Sequence, residues 1–148
     1  MDAVDRPNLA CAHMVHHGSD GPSLLGSRCR HCDELYFPAA RSCTRCSGTD
    51  LEAWPLGSEG LLWSWTIQGF LPKAPYDSGE TEADFTPYGV GYVEMASGIK
   101  VESRLTTADP EALRIGMRMA LTLVPYRVAP DGEPVFTYAF APALPVAA

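Results

Sequence analysis

Four cysteines, Cys29, Cys32, Cys43 and Cys46, form two C-x-x-C pairs separated by ten residues. No other feature limits the fold as strongly. Two intervening residues let both sulfurs of one turn face the same point, with backbone N–H groups aimed at them. Two such knuckles on a short hairpin are the pattern of a tetrahedral four-thiolate metal site. Zinc or iron suits four sulfurs, and one zinc ion is the expectation. The stretch from Ser23 to Pro55 is too short to bury a core of its own. Zinc binding, worth about 10–16 kcal/mol in comparable peptides, supplies the missing folding energy. Because sulfur fills all four positions, no place is left for a substrate or an activated water, and the site is read as structural. His31, inside the first knuckle, is read as an exposed residue rather than a ligand. Arg28, Arg30, Arg41 and Arg45 form a local basic cluster. They offset the negative charge of the thiolates and of Asp33 and Glu34, or they hold the phosphates of a ligand.

The remaining chain gives context. At 148 residues, one or two compact units are expected. Hydrophobic residues at 46% and charged residues at 20% describe an ordinary folded composition. The net charge is −7. Residues 56–148 carry six cationic against eleven acidic side chains, and no segment has a basic surplus. Affinity for nucleic acid comes largely from Lys and Arg on phosphates, so nucleic acid is not the expected partner. No apolar run approaches the roughly 20 residues that cross a bilayer. The first residues, Met1 to Asp5, lack the pattern of a secretory signal. The expected address is the cytoplasm, where the five cysteines stay reduced.

Past Pro55 the pattern becomes period two. Gly60–Ile67, Tyr88–Met95, Ile99–Leu105, Met117–Val128 and Pro134–Phe140 read as five strands. Ser97-Gly98 and Asp131-Gly132 mark turns. Asp109–Leu113, with a capping Asp and Pro110 behind it, reads as one short helix between the third and fourth strands. The expected fold is therefore mainly β: a rubredoxin-like zinc ribbon (residues 23–55) followed by a five-stranded OB barrel (residues 56–148). Residues 1–22 read as an N-terminal arm. The histidines within it, His13, His16 and His17 beside Cys11, are a weak metal pattern. The segment from Gln68 to Pro87 is a long loop, either a mobile face for a partner or ligand or a solvated excursion. Ala141 to Ala148 reads as an extended tail.

Catalytic signatures are missing. There is no Gly-x-Ser-x-Gly elbow, phosphate-binding loop or dinucleotide fingerprint. All four histidines fall within the first 31 residues. The chain is expected to lack an activity of its own.

The order of parts resembles the DUF35 family, zinc-ribbon/OB-fold proteins associated with thiolases. The residues that carry the resemblance run from Gly26-Ser27-Arg28-Cys29-Arg30-His31-Cys32 through Phe37-Pro38 to Cys43-Thr44-Arg45-Cys46. They continue with Gly60–Thr66, Pro87–Val93, Pro110–Met117 and Pro134-Val135-Phe136. In two places the chain departs from the family: Asp33 stands where a glycine usually follows the first knuckle, and no N-terminal helix is evident. The resemblance implies a non-catalytic subunit that braces a thiolase-fold catalytic subunit and helps form its acyl-CoA channel. The substrate would be an acyl-CoA, such as a 3-oxoacyl-CoA of aromatic degradation; benzoylsuccinyl-CoA is one guess. Candidate CoA- or partner-binding residues are Arg28, Arg45, Trp63, Trp65, Lys73, Phe85 and Tyr88. Trp63 and Trp65 are placed on opposite faces of one strand, one filling the barrel and one facing outward. The alternatives are a single-stranded nucleic-acid-binding OB module and a rubredoxin-like electron carrier.

Overall fold

The computed structural model describes residues 8–143. In chain order the strands are β1 (Asn8–Leu9), β2 (Val15–Gly18), β3 (Gly21–Cys29), β4 (Leu35–Tyr36), β5 (Leu51–Gly57), β6 (Glu59–Gln68), β7 (Tyr88–Met95), β8 (Lys100–Leu105), β9 (Arg118–Val128) and β10 (Pro134–Pro142). The last five match the five strands read from period-two alternation. On β7, Gly89, Gly91, Val93 and Met95 are buried; on β8, Val101, Ser103 and Leu105 are. Alternation of this kind puts one face of each strand in a core.

The five strands close on themselves. β7 lies between β6 and β8, both antiparallel to it. β9 pairs with β6 at one end and with β10 along its length. β10 completes the ring by pairing parallel with β8, Ala139 opposite Arg104 and Phe140 opposite Leu105. This is the OB arrangement. Leu62, Val93, Met95, Val101, Leu105, Met119 and Phe140 fill the interior. Gly91 must be glycine for space: a Cβ there would lie 2.8 Å from the Ser64 carbonyl oxygen and 3.0 Å from Leu62 Cδ1.

The expected helix at Asp109–Leu113 does not form. Asp109 does start a turn, accepting from the Glu111 amide through its carboxylate and from the Ala112 amide through its carbonyl, both at 3.0 Å. The chain then has to rejoin β6. Gly116, at φ 90, donates to the Leu62 carbonyl, and the Leu62 amide donates to Met117. Those bonds, with Leu113 buried in the core, leave room for a single turn.

The ribbon is a second, smaller sheet. β3 pairs with β2, β4 and β5. Its Leu24 and Leu56 of β5 belong to the same buried cluster as the barrel residues. Residues 8–18, read from sequence as part of an arm, are integrated into this core. β1 adds in parallel beside β10, Cys11 and Val15 are buried, and Cys11 Sγ lies 3.7 Å from Thr137 Oγ1. The patterning missed this because the segment is held by single contacts rather than a repeating face. Ala141 and Pro142 of the expected tail lie in β10. Residues 1–7, with the start of the arm and the segment judged not to be a signal, and residues 144–148 lie outside the described residues.

Candidate functional site

The two knuckles bring Cys29, Cys32, Cys43 and Cys46 together. Their sulfurs all lie within 4.8 Å of one another. Cys29 and Cys46 are 3.6 Å apart and Cys32 and Cys43 are 3.5 Å apart. A tetrahedron of sulfurs around zinc, with bonds of about 2.3 Å, has edges of about 3.8 Å, so the donor set fits such an ion. Each knuckle turns in the same way. The Asp33 amide donates to the Cys29 carbonyl and the Ser47 amide to the Cys43 carbonyl, both at 2.9 Å. The residue after the second cysteine sits in the left-handed region in both, Asp33 at φ 68 and Ser47 at φ 64. Asp33 thus holds the conformation that glycine usually provides, which aspartate tolerates better than most residues. Amides of Glu34, Gly48, Arg45 and Cys46 point at the sulfurs.

The electrostatics favour a cation. The Tyr36 hydroxyl donates to Cys43 Sγ at 3.3 Å and brings that thiol down to about 6. At Cys32 the Glu34 amide favours the thiolate, yet burial and the neighbouring cysteines push it up to about 12. Four thiolates this close repel one another until a metal ion neutralises them. Among the described residues, His13, His16 and His17 join no comparable cluster.

Three of the four ribbon arginines are engaged by its own acids. Arg28 pairs with Asp33 and with Glu52, the latter at 3.2 Å, and lies over Trp54 at 4.7 Å. Arg30 meets Asp50 and Glu52, each at 3.4 Å, and Arg45 meets Glu34 at 3.5 Å.

A groove of about 590 Å³ runs over the outer face of β7 and β8, between the barrel, Met14 and the Phe37-Pro38 turn. Its lining is dominated by tyrosines: Tyr76, Tyr88, Tyr92, Tyr126 and Tyr138. Tyr76, from the long loop, stacks at 15° on Tyr88 and meets Tyr126 edge-on at 5.5 Å. Its hydroxyl is buried without a partner. Asp77's amide donates to the Tyr126 hydroxyl at 2.6 Å, which ties the loop down. The Arg104 guanidinium lies 4.0 Å over the Tyr88 ring, and Tyr138 donates to the Glu102 carbonyl at 3.1 Å. Burial raises the phenols of Tyr88 and Tyr138, the latter to about 12.

Of the residues singled out from sequence, Tyr88 lines the groove and Phe85 packs edge-on against it at 6.0 Å. Lys73 is exposed on the long loop. Trp65 packs against the core and Trp63 faces outward. The reason differs from simple alternation, in which residues two apart share a face. The register shifts between Leu62 and Ser64, so Trp63 is the extra residue of a β-bulge. Sequence reasoning missed Arg104, Tyr126 and Tyr138. A signal existed for Arg104: alternation along β8 puts Lys100, Glu102 and Arg104 on one face. The tyrosines meet only through the tertiary fold.

Comparison with known proteins agrees with this architecture. Residues 22–52 match the family of the ChsH2 rubredoxin-like zinc ribbon domain, and residues 54–124 match that of the ChsH2 C-terminal OB-fold domain. Over 139 residues the chain is 30% identical to benzoylsuccinyl-CoA thiolase subunit BbsA of Thauera aromatica, covering 91% of this chain and 90% of that one. The chain belongs to the DUF35 family. A DUF35 domain-containing scaffold protein of Methanocaldococcus jannaschii is 28% identical over 119 residues, 79% of this chain and 78% of its own. Among solved structures, the Ltp2-ChsH2(DUF35) aldolase shares the fold, with a TM-score of 0.60 and 24% identity over 82% of this chain and 86% of that chain. No helix among the described residues is long and apolar enough to cross a membrane.

Proposed function

We propose that this DUF35 chain is a non-catalytic accessory subunit of a thiolase-superfamily complex that makes or breaks C–C bonds of an acyl-CoA. The observation that carries this is the similarity, over 91% of this chain, to a protein named as a thiolase subunit. Cys29, Cys32, Cys43 and Cys46 would hold one zinc ion, which would neutralise the thiolates and pin the knuckles. The work of the chain's own residues is to bind and position. Phe85 and Tyr88 border a groove wide enough for the pantetheine or acyl part of the ligand. Arg28 and Arg45 are held by acids of the ribbon and stiffen it. Arg104 and Lys73, which form no ion pair among the described residues, suit the anionic groups of the ligand better. The thiolase-fold partner supplies the nucleophile and the proton transfers, and the complex works in the cytoplasm.

The test is purification of the tagged full-length chain from its native host, with mass spectrometry and sizing of what accompanies it. A thiolase-fold protein recovered in fixed stoichiometry is expected. A chain that elutes alone at physiological concentration contradicts the proposal.

A further inference from the structure

We infer that the catalytic subunit docks on the outward face of the barrel centred on Trp63. The inference rests on the accessory-subunit reading above and assigns it a surface. Leu61, Trp63, Tyr92 and Ile115 are 47%, 52%, 42% and 63% exposed. The first three share one face of β6 and β7: Leu61 is opposite Glu94, and the rings of Trp63 and Tyr92 meet edge-on at 6.2 Å. Ile115 flanks them, because its neighbour Gly116 is bonded to the Leu62 carbonyl. Single exposed apolar residues need no explanation, whereas a contiguous group of them marks a contact surface.

Two features single out Trp63. Trp63 follows buried Leu62 and so faces outward beside Leu61, and as the extra residue of the bulge it has no partner on β7 and sits beside Tyr92. The ring is also held in place before any partner arrives. Tyr92 braces one edge, and the Lys100 ammonium lies 5.0 Å over its face while meeting Glu94 at 3.5 Å. A preordered Trp–Tyr pair loses little rotamer freedom on binding, which is why such residues dominate interface energetics.

The occupant follows from the groove. Tyr92 and Lys100 belong both to this patch and to the groove lining. A chain seated on Trp63 therefore sits at the groove's rim and shares whatever the groove holds. The catalytic subunit of an acyl-CoA complex has a use for that shared wall. A second copy of this chain would add only another such wall.

The experiment uses the tagged full-length chain in its native host, as wild type, Trp63→Glu and Ile115→Glu. Val128→Glu, at an exposed site on the β9–β10 hairpin, is the control. Zinc content and melting temperature establish which variants are folded, and Ile115→Glu keeps the test valid if Trp63→Glu is not. At least a tenfold drop in recovered thiolase-fold subunit is expected for the folded patch variants, with recovery unchanged for Val128→Glu. Undiminished recovery with a folded patch variant overturns the inference and leaves the accessory role standing. Loss of self-association alone also overturns it, in favour of a second copy. If wild type brings down no thiolase-fold protein, both readings fall.

Discussion

Leu24→Ala probes whether ribbon and barrel are held by one core. Leu24 lies on β3, fully buried, in the same cluster as Leu62, Met119 and Phe140 of the barrel. Its neighbours include Val15 on β2 and Gly57, the last residue of β5, two positions before the barrel's first strand begins. Truncation removes three carbons and leaves a cavity bounded by the β2, β3 and β5 backbones, which are tied by ladder bonds and relax little. The cost for such sites is about 3–5 kcal/mol. For a chain of this size that corresponds to a fall of roughly 6–20 °C in Tm. The assay is urea unfolding followed two ways on one sample: tryptophan fluorescence, and zinc release to a chromogenic chelator. A shared core requires both transitions to move together, by the same amount. If only zinc release moves and the fluorescence transition of the barrel stays in place, the two sheets are independent and the reasoning is refuted.

Three other outcomes follow from the geometry. Removing the metal with a strong chelator, or by Cys43→Ser, should unfold the knuckles from Cys29 to Gly48 while the barrel keeps its strands. Hydrogen exchange reads this directly, with protection lost at the Asp33 and Ser47 amides and kept on β7 and β8. Tyr138→Phe loses the bond to the Glu102 carbonyl, about 1 kcal/mol at neutral pH. The Tyr138 phenol is raised to about 12 by burial, so its stabilising contribution is complete below pH 10 and is lost as pH rises from 10 to about 12. That loss amounts to about 2–3 kcal/mol; alkaline denaturation should therefore be shallower in Tyr138→Phe than in wild type. If the groove holds acyl-CoA as proposed, Arg104→Ala in the assembled complex should raise KM for acyl-CoA several-fold with kcat little changed, since Arg104 lines that groove.

Much of the architecture was legible because it rests on short-range rules. The C-x-x-C spacing declares a four-sulfur centre, and alternation along Tyr88–Met95 and Lys100–Leu105 declares strands with one buried face. What stayed hidden depends on contacts far apart in the chain. Asp109-Pro110 carries a sound helix start, but Leu62 draws the backbone back through Gly116 before a second turn can form. Cys11 and Val15 have no periodic pattern around them, yet Cys11 is buried beside Thr137 of β10 and Val15 is buried opposite Leu24 of β3. The inward turn of Trp65, two residues from outward Trp63, depends on a register shift that only the pairing with β7 reveals. The tyrosine groove draws on β7, β8, β9, β10 and the long loop at once, so no window of sequence contains it.

Steady-state turnover tests the division of labour most directly. Acyl-CoA thiolysis is measured for the zinc-loaded chain by itself, for its thiolase-fold partner by itself, and for the two combined. The account predicts no turnover from this chain, weak or unstable turnover from the partner, and full activity on mixing. Turnover of an acyl-CoA by the isolated chain, or a partner equally active and stable without it, would contradict the account.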